Sequence, residues 1–474
     1  MPADNQPDTE SLLRRFCQMH GEGGVIFLRA PARINILGEH VDYVSYLPAA
    51  SLPFGSHEHA MTMLVRPNDD GKVRGASMNE SFAPFELSLR ETQPPGCSEK
   101  SWEGFVLYRP VPAPHWSNYV AGAVSFAQWK FGERIKRGFD FLIDSTIPAN
   151  SGASSSSALV VLAGAAIRQA NQIEFSLEEL AQDSSQAEWF LGTRGGSLDQ
   201  TAICLAKRHH AVHLTFADNR AEVVPLPSER FRWLTFFTHA ANKSSEVMLE
   251  YNERAAVSRL VIPALIQGWE FSAPHSFIDW RYGVALLRDG ASKTPETLRA
   301  LLHQLPETMS LDELRELYPR TFQQCETLFP ALVSERLTQP LKIRSRALHH
   351  LDEIWRVKEA VDVLRTASSE ESAMRKIGEL INQTHASLRD LYDVSTPQVE
   401  QLVELLRADS LVYGARLMGG GFGGNVLALT TVEHAAPLVD RIQQEFYASQ
   451  NRDSISEGAV MISTPGEGLS QIND

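Results

Sequence analysis

One stretch limits what this chain can fold into more than any other. Phe139-Asp140-Phe141-Leu142-Ile143 reads as a strand, and a long Ala-rich helix begins near Ser155. Between them lies a loop of small residues, Pro148-Ala149-Asn150-Ser151-Gly152-Ala153-Ser154, which runs into Ser155-Ser156-Ser157 and then Ala158-Leu159. A strand, a tight loop and a helix in immediate succession place the chain in the α/β or α+β class. The helix start offers unpaired N–H groups and the positive end of the dipole, which suit an anion. Small residues let phosphates approach the backbone, and Ser hydroxyls can bond phosphate or ligate Mg²⁺. A flexible Ser-rich linker or an ordinary N-cap would look similar, although a linker seldom sits between two apolar runs.

The rest of the first half alternates in the same way. A polar lead-in over residues 1–20 holds a short helix near Ser11 to Met19. Val25-Ile26-Phe27-Leu28 and Ile34-Asn35-Ile36-Leu37 read as strands separated by Pro31. Tyr119, Val120, Ala123, Val124 and Ala127 give one apolar face to a helix from Ser117 to Trp129. Beyond about Pro227 the pattern is more helical, at Leu311–Leu317, His349–Ala367 and Pro397–Ala408. Residues 272–340 are the least regular, broken by Pro274, Gly283, Gly290 and Pro295. With 474 residues and 43% hydrophobic content, two domains with real cores are expected. We divide them as 21–225 and 226–474, with an insertion near 272–340.

The formal net charge of −14, from 58 acidic and 44 basic side chains, disfavours nucleic-acid or anionic-membrane partners. Cys17, Cys97, Cys204 and Cys325 are too scattered for a disulfide framework or zinc site. The polar N-terminus lacks a signal pattern, and the apolar run from Ala158 to Ile167 is too short to span a bilayer. A cytoplasmic protein is expected, acting as a monomer with an oligomer left open.

Two further segments could carry chemistry. Leu417-Met418-Gly419-Gly420-Gly421-Phe422-Gly423-Gly424-Asn425-Val426 formally matches a dinucleotide fingerprint and a protein-kinase glycine loop. Both fail on context: too little chain follows for a βαβ unit, and no H-R-D or D-F-G string lies downstream. What remains is a loop that packs against a ligand or another loop, or a tight hairpin turn. In Arg33-Ile34-Asn35-Ile36-Leu37-Gly38-Glu39-His40-Val41-Asp42-Tyr43, charged groups beside a Gly follow an apolar strand. Such a set suits a polyhydroxylated ligand, with a solvated turn as the plain alternative.

Taken together and in order, these segments resemble the GHMP kinases, and within them the galactokinase and N-acetylgalactosamine kinase branch. Residues 30–43, APARINILGEHVDY, are similar to the galactokinase signature APGRVNLIGEHTDY. The Ser-rich loop and the glycine loop resemble the two other motifs of that family. Trp116-Ser117-Asn118-Tyr119, Gly196-Ser197-Leu198-Asp199-Gln200, Glu250-Tyr251-Asn252-Glu253-Arg254, Arg346-Ala347-Leu348-His349 and Asn382 to Tyr392 also have galactokinase counterparts. The resemblance implies a two-domain GHMP kinase fold with the active site in the cleft between N- and C-terminal domains. It implies transfer of the ATP γ-phosphate to the anomeric hydroxyl of galactose, with N-acetylgalactosamine as runner-up and a non-catalytic sensor behind both.

Carried over residue by residue, Asp199 would be the base and Arg33 its cationic neighbour. Ser151, Gly152, Ala153, Ser154, Ser155, Ser156 and Ser157 would cradle ATP, and Trp116 would flank adenine. Ser155 or Ser156 with Glu188 would hold Mg²⁺, while Glu39, His40, Asp42, Gly196 and Tyr251 would contact sugar hydroxyls. The chain departs from the pattern at Ala32, Ala153, Met418 and Asn425. After Tyr43 it reads Val44-Ser45-Tyr46-Leu47-Pro48 where many galactokinases have an Asn-Gly-Gly type sequence.

Overall fold

The computed structural model describes residues 9–44, 46–92, 94, 102–107, 109–148, 152–192, 196–216, 218, 220–239, 245–266, 294–448 and 459–472. The chain divides into two compact units whose boundaries are not collinear with the sequence. Unit 1 comprises Met1–Ile34, Pro53–Val212 and Ile455–Asp474, and unit 2 comprises Asn35–Leu52 and His213–Ser454. The cut at Ile34 therefore passes through the 30–43 motif, leaving Arg33 in unit 1 and Glu39, His40 and Asp42 in unit 2.

In unit 1, α1 is Thr9–His20, β1 Ile26–Asn35, β2 Pro53–Asn68, β3 Lys72–Ser77, β4 Phe85–Ser88, α2 Ser117–Phe131, β5 Gly138–Ser145, α3 Ser155–Ala170, α4 Leu177–Ala187 and α5 Leu198–Leu205. A mixed sheet runs from the strand Ser470–Ile472 through β1, β2, β5 and β3 to β4. β2 and β5 pair antiparallel, from Met61 opposite Ser145 to Asn68 opposite Gly138, while β3 and β5 pair parallel. Leu12 and Phe16 of α1 cluster with Phe27, Leu64, Ala76 and Leu142, so α1 covers one face of the sheet. α3 is buried on nearly every side, as its run of Ala, Val and Leu requires. Pro31 does not divide β1 as its position suggested. The C-terminal strand pairs with Phe27, Leu28 and Arg29, and among the described residues its register with β1 does not extend to Pro31.

In unit 2, β6 is Phe231–Phe237, α6 Ser245–Ala256, α7 Pro295–Leu302, α8 Leu311–Leu317, α9 Pro319–Leu328, α10 Pro330–Arg336, α11 Arg344–Thr366, α12 Glu370–Asp390, α13 Pro397–Arg407, β7 Gly414–Met418 and β8 Asn425–Thr431. β8 lies between β6 and β7, antiparallel to both. Residues 294–340, in which the sequence showed helical periodicity only at Leu311–Leu317, form α7 to α10. Their Leu298, Leu302, Leu311, Leu314, Phe322 and Leu332 share one apolar core with Val41, Tyr43 and Tyr46 and with Ile354 of α11. These helices are part of the body of unit 2; residues 272–293 of the expected insertion lie outside the described residues. The 419–424 loop is the β7–β8 turn. Gly421, at φ +82°, could not carry a side chain, because a Cβ there would lie 2.5 Å from Val394.

Candidate active-site residues in each unit

In unit 1 the Ser-rich loop, Arg33 and Asp199 come together. Arg33 Nε donates to Asp199 Oδ1 at 2.7 Å, and the Ser154 hydroxyl donates to Asp199 Oδ2 at 2.6 Å. The Arg33 backbone N–H reaches the Ala153 carbonyl at 3.3 Å, tying the loop to β1. Ser154 occupies the N-cap position of α3 in a left-handed conformation (φ 62°), and its side chain caps nothing. The hydroxyl that sequence would assign to capping is spent on the carboxylate, so no side chain of the cap blocks the helix start from an anion. Gly152 is exposed at φ +77°, and Ser155 and Ser156 are half-buried. Ser151 lies outside the described residues.

Glu188, just beyond α4, sits against the first turn of α3. Its carboxyl bonds the hydroxyl of Ser157 and the side chain of Gln200. Burial, helped by the negative charge of Asp199, outweighs those bonds and pushes Glu188 up to about 7. Tyr119 of α2 has Ser156 as a polar neighbour. Carboxylate and hydroxyl oxygens are the donors Mg²⁺ prefers, so this donor set fits the ion. A bound cation would hold Glu188 ionised. Among the described residues no group of three or more His, Cys, Asp or Glu side chains could hold a metal, so phosphate oxygens would have to complete the shell. Gly196 directly precedes the helix bearing Asp199. Trp116 belongs to a separate aromatic cluster with Phe82, Phe85 and Phe141, its indole N–H donating to the Ala83 carbonyl.

In unit 2, His40 is 6% exposed and held at φ 57°, a conformation that non-glycine residues seldom adopt outside functional sites. Its ring lies 6.2 Å from that of Tyr251 and 4.8 Å from that of Tyr392, centroid to centroid. Tyr251 also lies 3.6 Å from where a Cβ on Gly420 would stand, so His40, Tyr251 and Gly420 share one place. Burial, with the charges of Arg254 and Arg346, drives His40 down to about 3 and keeps it neutral. Asp42 is half-buried next to this group.

Glu39 is 5% exposed, and its Oε1 accepts from the Gly419 N–H at 2.9 Å and from Arg416 at 3.1 Å. One oxygen of this expected sugar ligand therefore fastens the glycine turn to the motif. Below it, Glu353 accepts from the Gly38 N–H at 2.8 Å, from Thr384 at 2.9 Å and from both Nε and Nη2 of Arg356. Burial alone would raise Glu353; Arg356, Arg416 and the Gly38 N–H overcome it and hold the carboxyl below its ordinary range. Arg254 binds Glu250 and Glu253, and Arg346 binds Asp393 and the Leu391 carbonyl. The charged segments around Tyr251 and His349 thus include the buttress of the site. Sequence reasoning missed Glu353 and Arg416, which belong to no local pattern.

The comparisons agree with these motifs. Residues 118–207 match the family described as GHMP kinases N terminal domain, and 366–448 match GHMP kinases C terminal. Residues 14–50 match the galactokinase galactose-binding signature. A galactokinase of Glaesserella parasuis is 27% identical over 468 residues, covering 98% of this chain and 99% of the relative. One from Dictyostelium discoideum is 26% identical, covering 94% and 89%. The structure of Lactococcus lactis galactokinase complexed with galactose aligns with a TM-score of 0.70 at 24% identity, over 98% of this chain and 100% of that one. Methanococcus jannaschii mevalonate kinase aligns at 0.52 and 14% identity, over 96% and 100%. These likenesses bear out the mixed helix-and-sheet fold and the kinase expected from the sequence. The chain thus carries matches to the N- and C-terminal domains of the GHMP kinases and to the galactokinase galactose-binding signature.

Proposed function

We propose that this protein phosphorylates galactose at its anomeric hydroxyl, using ATP and giving galactose 1-phosphate. The observation that carries the reading is the Asp199 carboxylate, held by Arg33 on one oxygen and by Ser154 of the Ser-rich loop on the other. A carboxylate so fixed orients a sugar hydroxyl and takes its proton as the O–P bond forms. Arg33 offsets the negative charge that develops on the transferring phosphoryl group. The N–H groups at the start of α3 and the hydroxyls of Ser155, Ser156 and Ser157 face the nucleotide phosphates, with Gly152 and Ala153 leaving them room. Trp116 flanks the adenine. Glu188 with Ser155 or Ser156 holds Mg²⁺, which supplies charge neutralisation on the phosphates. His40, Asp42, Tyr251, Gly196 and the second oxygen of Glu39 bind sugar hydroxyls. Galactose is favoured by the galactose-binding signature at residues 14–50 and by the curated galactokinases that match along nearly the whole chain.

Sugar-dependent ATP consumption across galactose, N-acetylgalactosamine, glucose and galacturonate, with Mg²⁺ titrated, tests this. Galactose should give the highest kcat/KM, and Glu188→Gln should raise the Mg²⁺ concentration needed for half-maximal turnover. Turnover with N-acetylgalactosamine but not galactose would move the substrate. Binding of galactose and ATP without turnover would overturn the kinase reading.

A further inference from the structure

Beneath His40 lies a buried polar chain to which the reaction above assigns no part. The Tyr43 hydroxyl meets His40 Nδ1 at 2.8 Å and the Tyr392 hydroxyl at 2.9 Å. The Tyr392 hydroxyl lies 3.0 Å from Ser258 Oγ and 3.4 Å from His350 Nε2, and Ser258 Oγ is 3.3 Å from the same nitrogen. His350 Nδ1 ends the chain on the Tyr46 hydroxyl at 2.6 Å. All six side chains are buried. Neither Tyr46 nor His350 carries any of the functions assigned so far. Tyr46 lies in the very segment, Val44 to Pro48, where this chain departs from the Asn-Gly-Gly type sequence.

Burial keeps the phenols of Tyr43, Tyr46 and Tyr392 protonated and the rings of His40 and His350 neutral. Each hydroxyl and each ring then has a single proton to donate, so a choice of direction at one contact propagates along the chain. Either direction is open at each contact; taking the Tyr46 and Tyr43 hydroxyls as donors to bare ring nitrogens, at 2.6 and 2.8 Å, gives one self-consistent arrangement. In that arrangement one ring N–H of His350 is shared between the two oxygens at 3.3 and 3.4 Å. His350 therefore carries its proton on Nε2, Tyr392 donates to Tyr43, and Tyr43 donates to His40 Nδ1. That leaves the His40 proton on Nε2, a buried atom that among the described residues has no hydrogen-bond partner of good geometry, the Gly420 backbone lying beside the ring in the place shared with Tyr251.

We propose that Tyr46 and His350 are positioning residues for sugar recognition. Acting through Ser258, Tyr392 and Tyr43, they hold the His40 ring as its Nε2–H tautomer and present that donor to a sugar hydroxyl oxygen. The inference rests on the galactose-kinase reading of His40. It also gives the altered segment after Tyr43 a purpose: Tyr46 supplies the proton that occupies His350 Nδ1.

Nitrogen-15 NMR of the imidazole rings in the full-length protein reads the tautomer, and steady-state kinetics read its use. Wild-type His40 should show the Nε2–H tautomer alone. In Tyr46→Phe, which removes one oxygen, and His350→Gln, which keeps a donor and an acceptor, His40 should become a tautomer mixture. The galactose KM should rise about threefold to tenfold, the effect of one weakened neutral hydrogen bond. The ATP KM and kcat should stay within about twofold. A His40 proton found on Nδ1 in the wild type, or a tautomer unmoved in both variants, overturns the relay and leaves the kinase reading intact. A purely structural role, lowering the melting midpoint while tautomer and galactose KM stay put, overturns it equally. His40→Ala separates the two readings: an unchanged galactose KM there refutes the sugar role of His40, and the positioning proposal falls with it.

Discussion

Asp199→Asn is the sharpest test of the proposed reaction, because the structure indicates that the replacement will fit. The Asn carbonyl can still accept from Arg33 Nε, where Oδ1 now stands 2.7 Å away. The Asn NH₂ can donate to Ser154 Oγ, whose hydroxyl is able to turn and become the acceptor in a contact now 2.6 Å long. Geometry is kept and basicity is lost. The ion pair removed joins a buried Arg33 to an Asp199 side chain 30% exposed, so its loss should cost about 0.5–1.5 kcal/mol after solvent screening. That corresponds to a fall of only a few degrees in melting midpoint. Loss of a general base should lower kcat by about 10²–10⁴, or roughly 3–5 kcal/mol of barrier. ATP consumption at saturating galactose, with calorimetry alongside, separates the two effects. The expected result is a collapse of kcat with both KM values within a few-fold and a nearly intact melting curve. An Asn variant keeping a third or more of wild-type kcat would show that Asp199 is not the base. Loss of activity together with a melting midpoint lower by more than about ten degrees would show that the residue supports the fold instead.

Two other outcomes follow from the buttress of unit 2. Glu353→Ala strips a fully buried carboxylate from Arg356, Thr384 and the Gly38 N–H, and should destabilise the protein by about 3–5 kcal/mol in urea unfolding; a change below about 1 kcal/mol would refute its role. The histidines His40, His349 and His350 are held neutral by burial, with His40 at about 3 and the other two well below their ordinary value. In the unfolded chain each takes a proton near pH 6.5, so below that pH the unfolded state binds more protons and stability falls as pH falls. The slope approaches about 1.4 kcal/mol per pH unit for each histidine well below pH 6.5; between pH 6.5 and 5.5 each loses about 1 kcal/mol, or about 3 kcal/mol for the three. Calorimetric scans should show the midpoint dropping across that unit; a flat profile would contradict the buried neutral rings.

Local pattern made much of this molecule legible. The run from Leu311 to Leu317 is a helix with those ends, and the strand, Ser-rich loop and helix around Ser155 stand as the residues imply. What local pattern could not convey was side-chain commitment across long separations. Ser154 reads as part of a phosphate cradle, with an ordinary cap as the plain alternative for the loop; its hydroxyl serves Asp199, a residue in another helix. Glu39 reads as a ligand because it follows a Gly in a polar motif, yet one of its oxygens serves Gly419 and Arg416, far along the chain. Tyr46 stood out only as part of a departing segment and His350 not at all, since a single Tyr and a single His acquire their joint meaning only when the fold sets them 2.6 Å apart. Apart from Leu311–Leu317, residues 294–340 were opaque for a different reason. The other three helices are short and show too few turns for periodicity to stand out before packing unites them in one core.

The pairing of Arg29 with Ser470 has a consequence for the making of the protein. β1 emerges from the ribosome among the first elements, but the strand that covers its edge is nearly the last. At ordinary rates of about 5–20 residues per second, that edge stays open for roughly 20 to 90 seconds of synthesis. During that interval Phe27, Leu28 and Arg29 present unpaired backbone groups, a surface on which nascent chains can pair with one another. Polysome crowding, more than the stability of the finished fold, is where this architecture is vulnerable.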